Sequence, residues 1–242
     1  MRPDTWGRSW FSRKWPLSGD ALSHVALPGL ALGILFNFEP FIGAFAFLFV
    51  SAVLTWWLER ATKLSFEAII GTLFTLSLAI GILLVPEPDL LEALFGDISK
   101  VTLFDTVVAV IISFSAIYLA RIIYDKMILG VISEDLATSF GINVPRVNLA
   151  YILLVSLIVA VGIKIVGTLL VGALVIVPAA TAKNVSSNLH RYLVLSSILG
   201  AACSLGGVLL SYFVKLPAGP LVVLSGSVIF IVAVIMKSLF VE

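Results

Sequence analysis

An all-α bundle of about eight membrane-spanning helices, both termini in the cytoplasm, is the fold this sequence predicts. Three observations predict it: composition, the spacing of apolar stretches, and the one-sided placement of basic residues. Of 242 residues, 60% are hydrophobic and 12% charged, and mean hydropathy is +1.15. A soluble domain carries roughly 25% charged residues. A single core cannot hide this much apolar surface, so lipid must cover part of it. A membrane helix needs about 20 mostly apolar residues.

Eight stretches qualify in chain order: about 20–37, 40–58, 66–85, 103–123, 147–163, 165–182, 192–213 and 219–240. The first two meet at Asn37 to Pro40, the fifth and sixth near Gly162 to Gly167, and the last two at Lys215 to Pro220. Longer loops are expected at about 86–102 and 124–146. With the N-terminus inside, twelve of the fifteen basic residues fall on the inner side: Arg2, Arg8, Arg13, Lys14, Arg60, Lys63, Arg121, Lys126, Arg146, Lys183, Arg191 and Lys237. Lys100, Lys164 and Lys215 fall outside. The positive-inside rule therefore selects this orientation. Residues 1–18 contain Trp6, Trp10, Phe11 and Trp15 among basic residues. They read as an interfacial segment lying on lipid, with 19–242 as the transmembrane domain. Small residues in Gly200–Gly207 place Gly200 with Ser204, and Ala202 with Gly206, on helix faces suited to close packing.

A net charge of +1 argues against nucleic acid as a partner. The one cysteine, Cys203, excludes an intrachain disulfide and any CxxC metal motif. Its two histidines, His24 and His190, lie far apart and outside any HExxH, which disfavours an intramembrane metalloprotease. No GxSxG is present, and no GxxxxGK[ST], so this chain does not hydrolyse ATP by a P-loop.

Chemistry concentrates in GDALSHVALPG, residues 19–29. Asp20 and His24 are four apart and share one face of a helix, with Ser23 beside it. Ionisable residues inside a span are costly and mark polar pathways. Carboxylate oxygen and neutral imidazole nitrogen are ligands for Zn²⁺ and suit Mn²⁺. Two ligands alone make a weak site, which suits an ion that must leave. The alternative reading makes Asp20 a helix-start residue favoured by the dipole and His24 a hydrogen-bond partner for a neighbouring helix. Pro28 and Gly29 are expected to kink the helix just beyond the pair. The topology places Asp20 close to the inner interface, shallow for a ligand midway along a path.

These residues carry a resemblance. The 19–29 stretch resembles the signature of the metal ABC transporter permeases (the ABC-3 family) that import zinc, manganese or iron. Lys14 is similar to the basic residue just upstream in that family. Ser133–Ala137 (SEDLA) with Phe140–Val144 (FGINV) resembles its cytoplasmic loop, Lys164–Ala182 its late hydrophobic motif, and Leu216–Gly219 (LPAG) its last interhelical turn. The match runs in order from about residue 14 to the C-terminus.

The resemblance implies a homodimeric permease in a prokaryotic cytoplasmic membrane, with two cytoplasmic ATPase subunits beneath and an extracytoplasmic solute-binding protein delivering Zn²⁺ or Mn²⁺. The metal is cargo, and no permanent cofactor is implied. Asp20 and His24 match the positions thought to contact the ion in transit. The segment after Pro178, with Ala179, Ala180, Thr181, Lys183, Asn184 and Arg191, resembles a coupling loop that docks on the ATPase. Glu134 and Asp135 lie on the same predicted side as a second contact. Two departures stand out. Family members carry a further hydrophobic helix before the Gly-Asp motif, whereas Met1–Pro16 cannot span, so a truncated, non-functional permease is one expectation. Lys215 precedes LPAG where relatives carry an acidic or neutral residue. An iron–siderophore or cobalamin permease is the nearest rival, since a larger substrate needs no Asp/His pair. Which metal is carried is not written in the residues.

Overall fold

The computed structural model describes residues 23–62, 64–84, 93, 94, 96, 101–186 and 188–240. The sequence readings on Asp20, Lys14, residues 1–18 and most of the 86–102 loop lie outside these. Among the described residues the chain is helical throughout, without strands. The helices are α1 (Leu27–Leu35), α2 (Pro40–Ala61), α3 (Phe66–Leu84), α4 (Leu103–Ile132), α5 (Glu134–Ser139), α6 (Val144–Val166), α7 (Thr168–Val185), α8 (Leu189–Val214) and α9 (Ala218–Phe240). Seven of them are long and apolar enough to cross a membrane, and the apolar stretch Ser23–Leu35 is shorter. Each of the eight expected spans thus has its helix, the first in its described part. Helices are the natural solution here, because each satisfies its backbone groups internally where no water is available.

Local chemistry sets the boundaries. Pro40 and Pro145 occupy the first turns of α2 and α6, where a missing N–H costs nothing. Thr102 caps α4 in a reciprocal pair with Asp105. The Ser133, Asn143 and Asn188 side chains cap α5, α6 and α8. Gly167 alone separates α6 from α7, at φ 79°, ψ 167°, a conformation essentially reserved for glycine.

The 124–146 region differs from the loop expected. Helix α4 runs on to Ile132, and α5 follows after a single residue. Charges such as Asp125 and Lys126 end a hydropathic span but not a helix, since these residues keep their intrahelical hydrogen bonds outside lipid. At 30 residues, α4 is about 45 Å long, well beyond the ~30 Å hydrocarbon layer.

Packing divides the bundle in two. Helix α2 packs on α1, α3 and α6, α1 also on α3, and α4 on α6, while α7, α8 and α9 pack on one another. Val25, Ala26, Leu27 and Leu30 of the α1 region, Ala44 and Leu48 of α2, Ile70 of α3, Val159, Ala160 and Ile163 of α6 and Val171 of α7 form one buried core. Glycine permits the closest approaches. A Cβ on Gly29 would collide with the Gly43 carbonyl, and one on Gly33 with Pro40. In α8 the tight position is Gly207, where a Cβ would overlap Val222. Cys203, one turn away, accepts a hydrogen bond at its carbonyl from Ser225 Oγ (2.7 Å). The face of α8 turned to α9 is therefore Cys203–Gly207. Gly200 instead faces Pro178 of α7, leaving ordinary van der Waals space. Large side chains such as Phe104, Phe114, Leu209 and Phe213 point outward, as lipid-facing surfaces do.

Candidate functional site

Among the described residues, His24 sits in the most buried stretch. Ser23, Val25, Ala26 and Leu27 are each at most 1% exposed, His24 is half-buried, and its Nδ1 is sealed from solvent. The helix is interrupted at Ala26, two residues before Pro28, which stands in the first turn of α1. Pro28 has no N–H to give the His24 carbonyl. Beyond it, Gly29 lets α1 press directly on the α2 backbone.

Neighbouring helices fix the depth of His24. Gly33 touches the first residue of α2, Pro40, and Gly29 touches Gly43. Counting back nine residues from Gly33 puts His24 about 13 Å below that end. Its ring meets Phe74 edge-on, with centroids 5.3 Å apart and planes at 77°, and Phe74 lies near the middle of α3. The imidazole is thus close to the mid-depth of a ~30 Å hydrocarbon layer. The buried hydroxyls of Ser23, Ser51, Ser77 and Ser156 fall within about two turns of this level. Ser156 Oγ donates to the Ile152 carbonyl at 2.9 Å.

No three His, Cys, Asp or Glu side chains converge among the described residues. Asp20 lies outside them, so the pair itself is not on view. What is on view is one imidazole inside an apolar bundle, able to offer a metal a single nitrogen. Such a ligand suits brief contact rather than storage.

A charged cluster that the sequence did not disclose closes one end of the bundle. Lys164 Nζ lies 2.9 Å from Asp105 Oδ1 and 3.5 Å from Glu39 Oε1, and 5.1 Å from the centre of the Phe41 ring. It ties the end of α6 to the starts of α2 and α4. Thr168 Oγ1 donates to the Ala93 carbonyl at 3.3 Å on the same side. At the opposite end, Trp56 Nε1 donates to the Pro145 carbonyl at 2.8 Å, and Arg60 lies over the Trp56 ring.

The residues matched to a coupling loop are mostly helical. Ala179, Ala180, Thr181, Lys183 and Asn184 occupy the last turns of α7, and Arg191 the first turn of α8. Thr181 is 2% exposed and donates to the Val177 carbonyl, and Asn184 Nδ2 donates to the Ala233 carbonyl of α9. Lys183 and Arg191 are exposed, as are Glu134 and Asp135 at the start of α5. Beside them Leu136 and Phe140 expose apolar surface.

Residues 9–237 match the ABC 3 transport family. The chain is 30% identical over 233 residues to the high-affinity zinc uptake system membrane protein ZnuB of Buchnera aphidicola subsp. Baizongia pistaciae, covering 94% of this chain and 89% of the relative. It is 31% identical over 225 residues to the manganese transport system membrane protein MntC of Listeria monocytogenes, covering 91% and 80%. Among solved structures, PsaBC from Streptococcus pneumoniae in complex with Fab is similar with a TM-score of 0.76, at 29% identity, over 94% of this chain and 83% of that one.

Proposed function

This chain belongs to the ABC 3 transport family, and from that premise we propose that it is the membrane-spanning permease subunit of an ATP-driven importer of zinc or manganese, working in a prokaryotic cytoplasmic membrane. ATP hydrolysis belongs to a separate subunit, and the chain is not itself an enzyme. The observation that carries the reading is a half-buried imidazole at mid-depth of an apolar bundle, on a chain similar over nine-tenths of its length to zinc and manganese permeases. A siderophore-sized cargo would not need that ligand, and neither relative is named for one.

The cargo passes Asp20 and His24, which serve as transient ligands. Two such chains pair. The apolar outer faces of α4 and α8, each with 11% of its span buried, leave ample surface for lipid and a second copy. Extracytoplasmic delivery by a solute-binding protein falls to the Lys164 end. The opposite end meets the ATPase through Lys183 and Arg191, and through Glu134 and Asp135 on α5. Burial of Thr181 and the hydrogen bond of Asn184 to the Ala233 carbonyl favour a role in holding α7 in place. Ala179 and Ala180 belong to the same docking stretch by position, and Pro28 with Gly29 to a bend above the ligands. When the ATPases close, the bundle rocks and exposes the ligands to the other side.

Co-reconstitution with the ATPase and binding protein in liposomes tests this. Uptake in Asp20→Ala and His24→Ala is expected to fall at least about tenfold, with the complex still assembled. Normal zinc and manganese uptake in both variants would falsify the ligand assignment.

A further inference from the structure

Helix α5 is six residues long and carries Glu134 and Asp135 at the end of the bundle proposed to meet the ATPase. A push on so short a helix travels only through what holds it. On the α4 side it follows Ile132 after Ser133 alone, whose side chain caps it. On the α6 side the connection has no slack. Gly141 takes the left-handed conformation, φ 75°. Its N–H donates to the Thr138 carbonyl at 2.9 Å, and the Ile142 N–H reaches back to the Ala137 carbonyl at 3.0 Å. This pair of bonds is the Schellman ending of a helix. Asn143 then caps α6, its side chain accepting from the Arg146 N–H at 3.1 Å, and buried Val144 faces Gly130 of α4. Residues 134–146 therefore form one stiff corner.

Trp56 ties that corner to α2. Its Nε1–H donates to the Pro145 carbonyl at 2.8 Å, across 89 positions of sequence. Pro145 lies in the first turn of α6, and its carbonyl has a second lone pair with which to accept. The Arg60 guanidinium lies 5.0 Å from the centre of the Trp56 ring, within range for a cation–π contact. Tryptophans near the end of a span serve as lipid-interface anchors, and the neighbouring Trp57, 56% exposed, fits that role. Trp56 is instead half-buried, with its N–H turned onto α6. Thirteen residues back along α2, about 20 Å, Gly43 meets Gly29 of α1 backbone to backbone. One helix thus has the α5–α6 corner at its lower end and the segment that follows His24 against its upper part.

We infer that Trp56 is a positioning residue for coupling: its hydrogen bond to Pro145 makes the α5–α6 corner and α2 move together, so that a shift of α5 on the ATPase reaches the segment carrying His24. The inference rests on the proposed contact between α5 and the ATPase.

The experiment measures metal ions moved per ATP hydrolysed by the reconstituted permease, ATPase and binding protein, with zinc and with manganese. Co-purification of the ATPase is read in parallel. Trp56→Phe removes the N–H and keeps a ring. Trp56→benzothienylalanine replaces only the N–H, by sulfur, and Trp56→5-fluorotryptophan keeps it. Expected is a ratio lowered about threefold or more in the first two, the scale of one hydrogen bond, with the ATPase still bound and hydrolysing. A ratio near wild type is expected in the third. A wild-type ratio in the benzothienylalanine variant would overturn the inference. So would a 5-fluorotryptophan variant impaired to the same degree, or uptake and hydrolysis falling together at a constant ratio, which marks a packing role. Glu134→Arg combined with Asp135→Arg tests the premise separately. Full ATPase retention and a wild-type ratio there would remove the α5 contact, and the inference with it. If Trp56→Phe fails to fold, the benzothienylalanine variant, which keeps the shape of tryptophan, is read by the same criteria.

Discussion

Gly29 and Gly43 meet backbone to backbone, and a Cβ on either would collide with the other's carbonyl. Nothing flexible is available to move, so the helices themselves would have to separate. Gly29→Ala is expected to destabilise the purified protein by about 1–3 kcal/mol, read as a lower melting temperature in detergent. Gly71→Ala is the control. A Cβ there meets nothing within 4 Å, and alanine in a helix interior is favoured by roughly 0.5–1 kcal/mol. Equal melting temperatures for the two variants would contradict the close-packing account. At this scale the sequence showed the chemistry but not its surroundings. Asp20 and His24 announce themselves, because ionisable residues in an apolar run are rare. Phe74 does not: one of 16 phenylalanines, it meets the His24 ring edge-on only once the helices are packed.

Among elements, Lys164 makes the broadest connection, joining α6 to the starts of α2 and α4 through Glu39 and Asp105. Lys164→Met is expected to lower the melting temperature by a few degrees at low salt. The gap from wild type should shrink near 1 M salt, where the screening length drops to about 3 Å. A gap independent of salt would assign the loss to packing over Phe41 instead. Span positions were legible in the sequence, since hydropathy marks where lipid is. Helix ends were less so. The 124–146 region and the segment after Pro178 both read as loops because polarity rises there, yet α4 continues to Ile132 and α7 to Val185. Hydropathy reports the edge of the membrane, whereas a helix stops where a cap or a turn stops it, as Ser133 and Asn188 do. The Lys164 cluster was illegible for a related reason. Its members are 66 and 59 residues apart along the chain and meet only once three helices are packed.

For the whole molecule, alternation of the helices puts Lys164 and Lys215 at one end, and Arg60, Lys126, Arg146, Lys183, Arg191 and Lys237 at the other. By the positive-inside rule this asymmetry predicts that the crowded basic end lies in the cytoplasm. The same end exposes Lys183 and Arg191, where the proposed ATPase docks, so topology and coupling stand or fall together. Cys203, the one cysteine, is 2% exposed and can be replaced by alanine to give a background for labelling. Lys215→Cys and Lys183→Cys then each carry one exposed thiol, at opposite ends. A membrane-impermeant thiol reagent applied to intact cells is expected to modify position 215 and to reach position 183 only after permeabilisation. The reverse pattern would invert the protein and move the ATPase contact to the Lys164 end. Labelling of both positions from outside would mean that α9 and α7 do not end where the packing of Asn184 on Ala233 places them, and the eight-helix path itself would have to be redrawn.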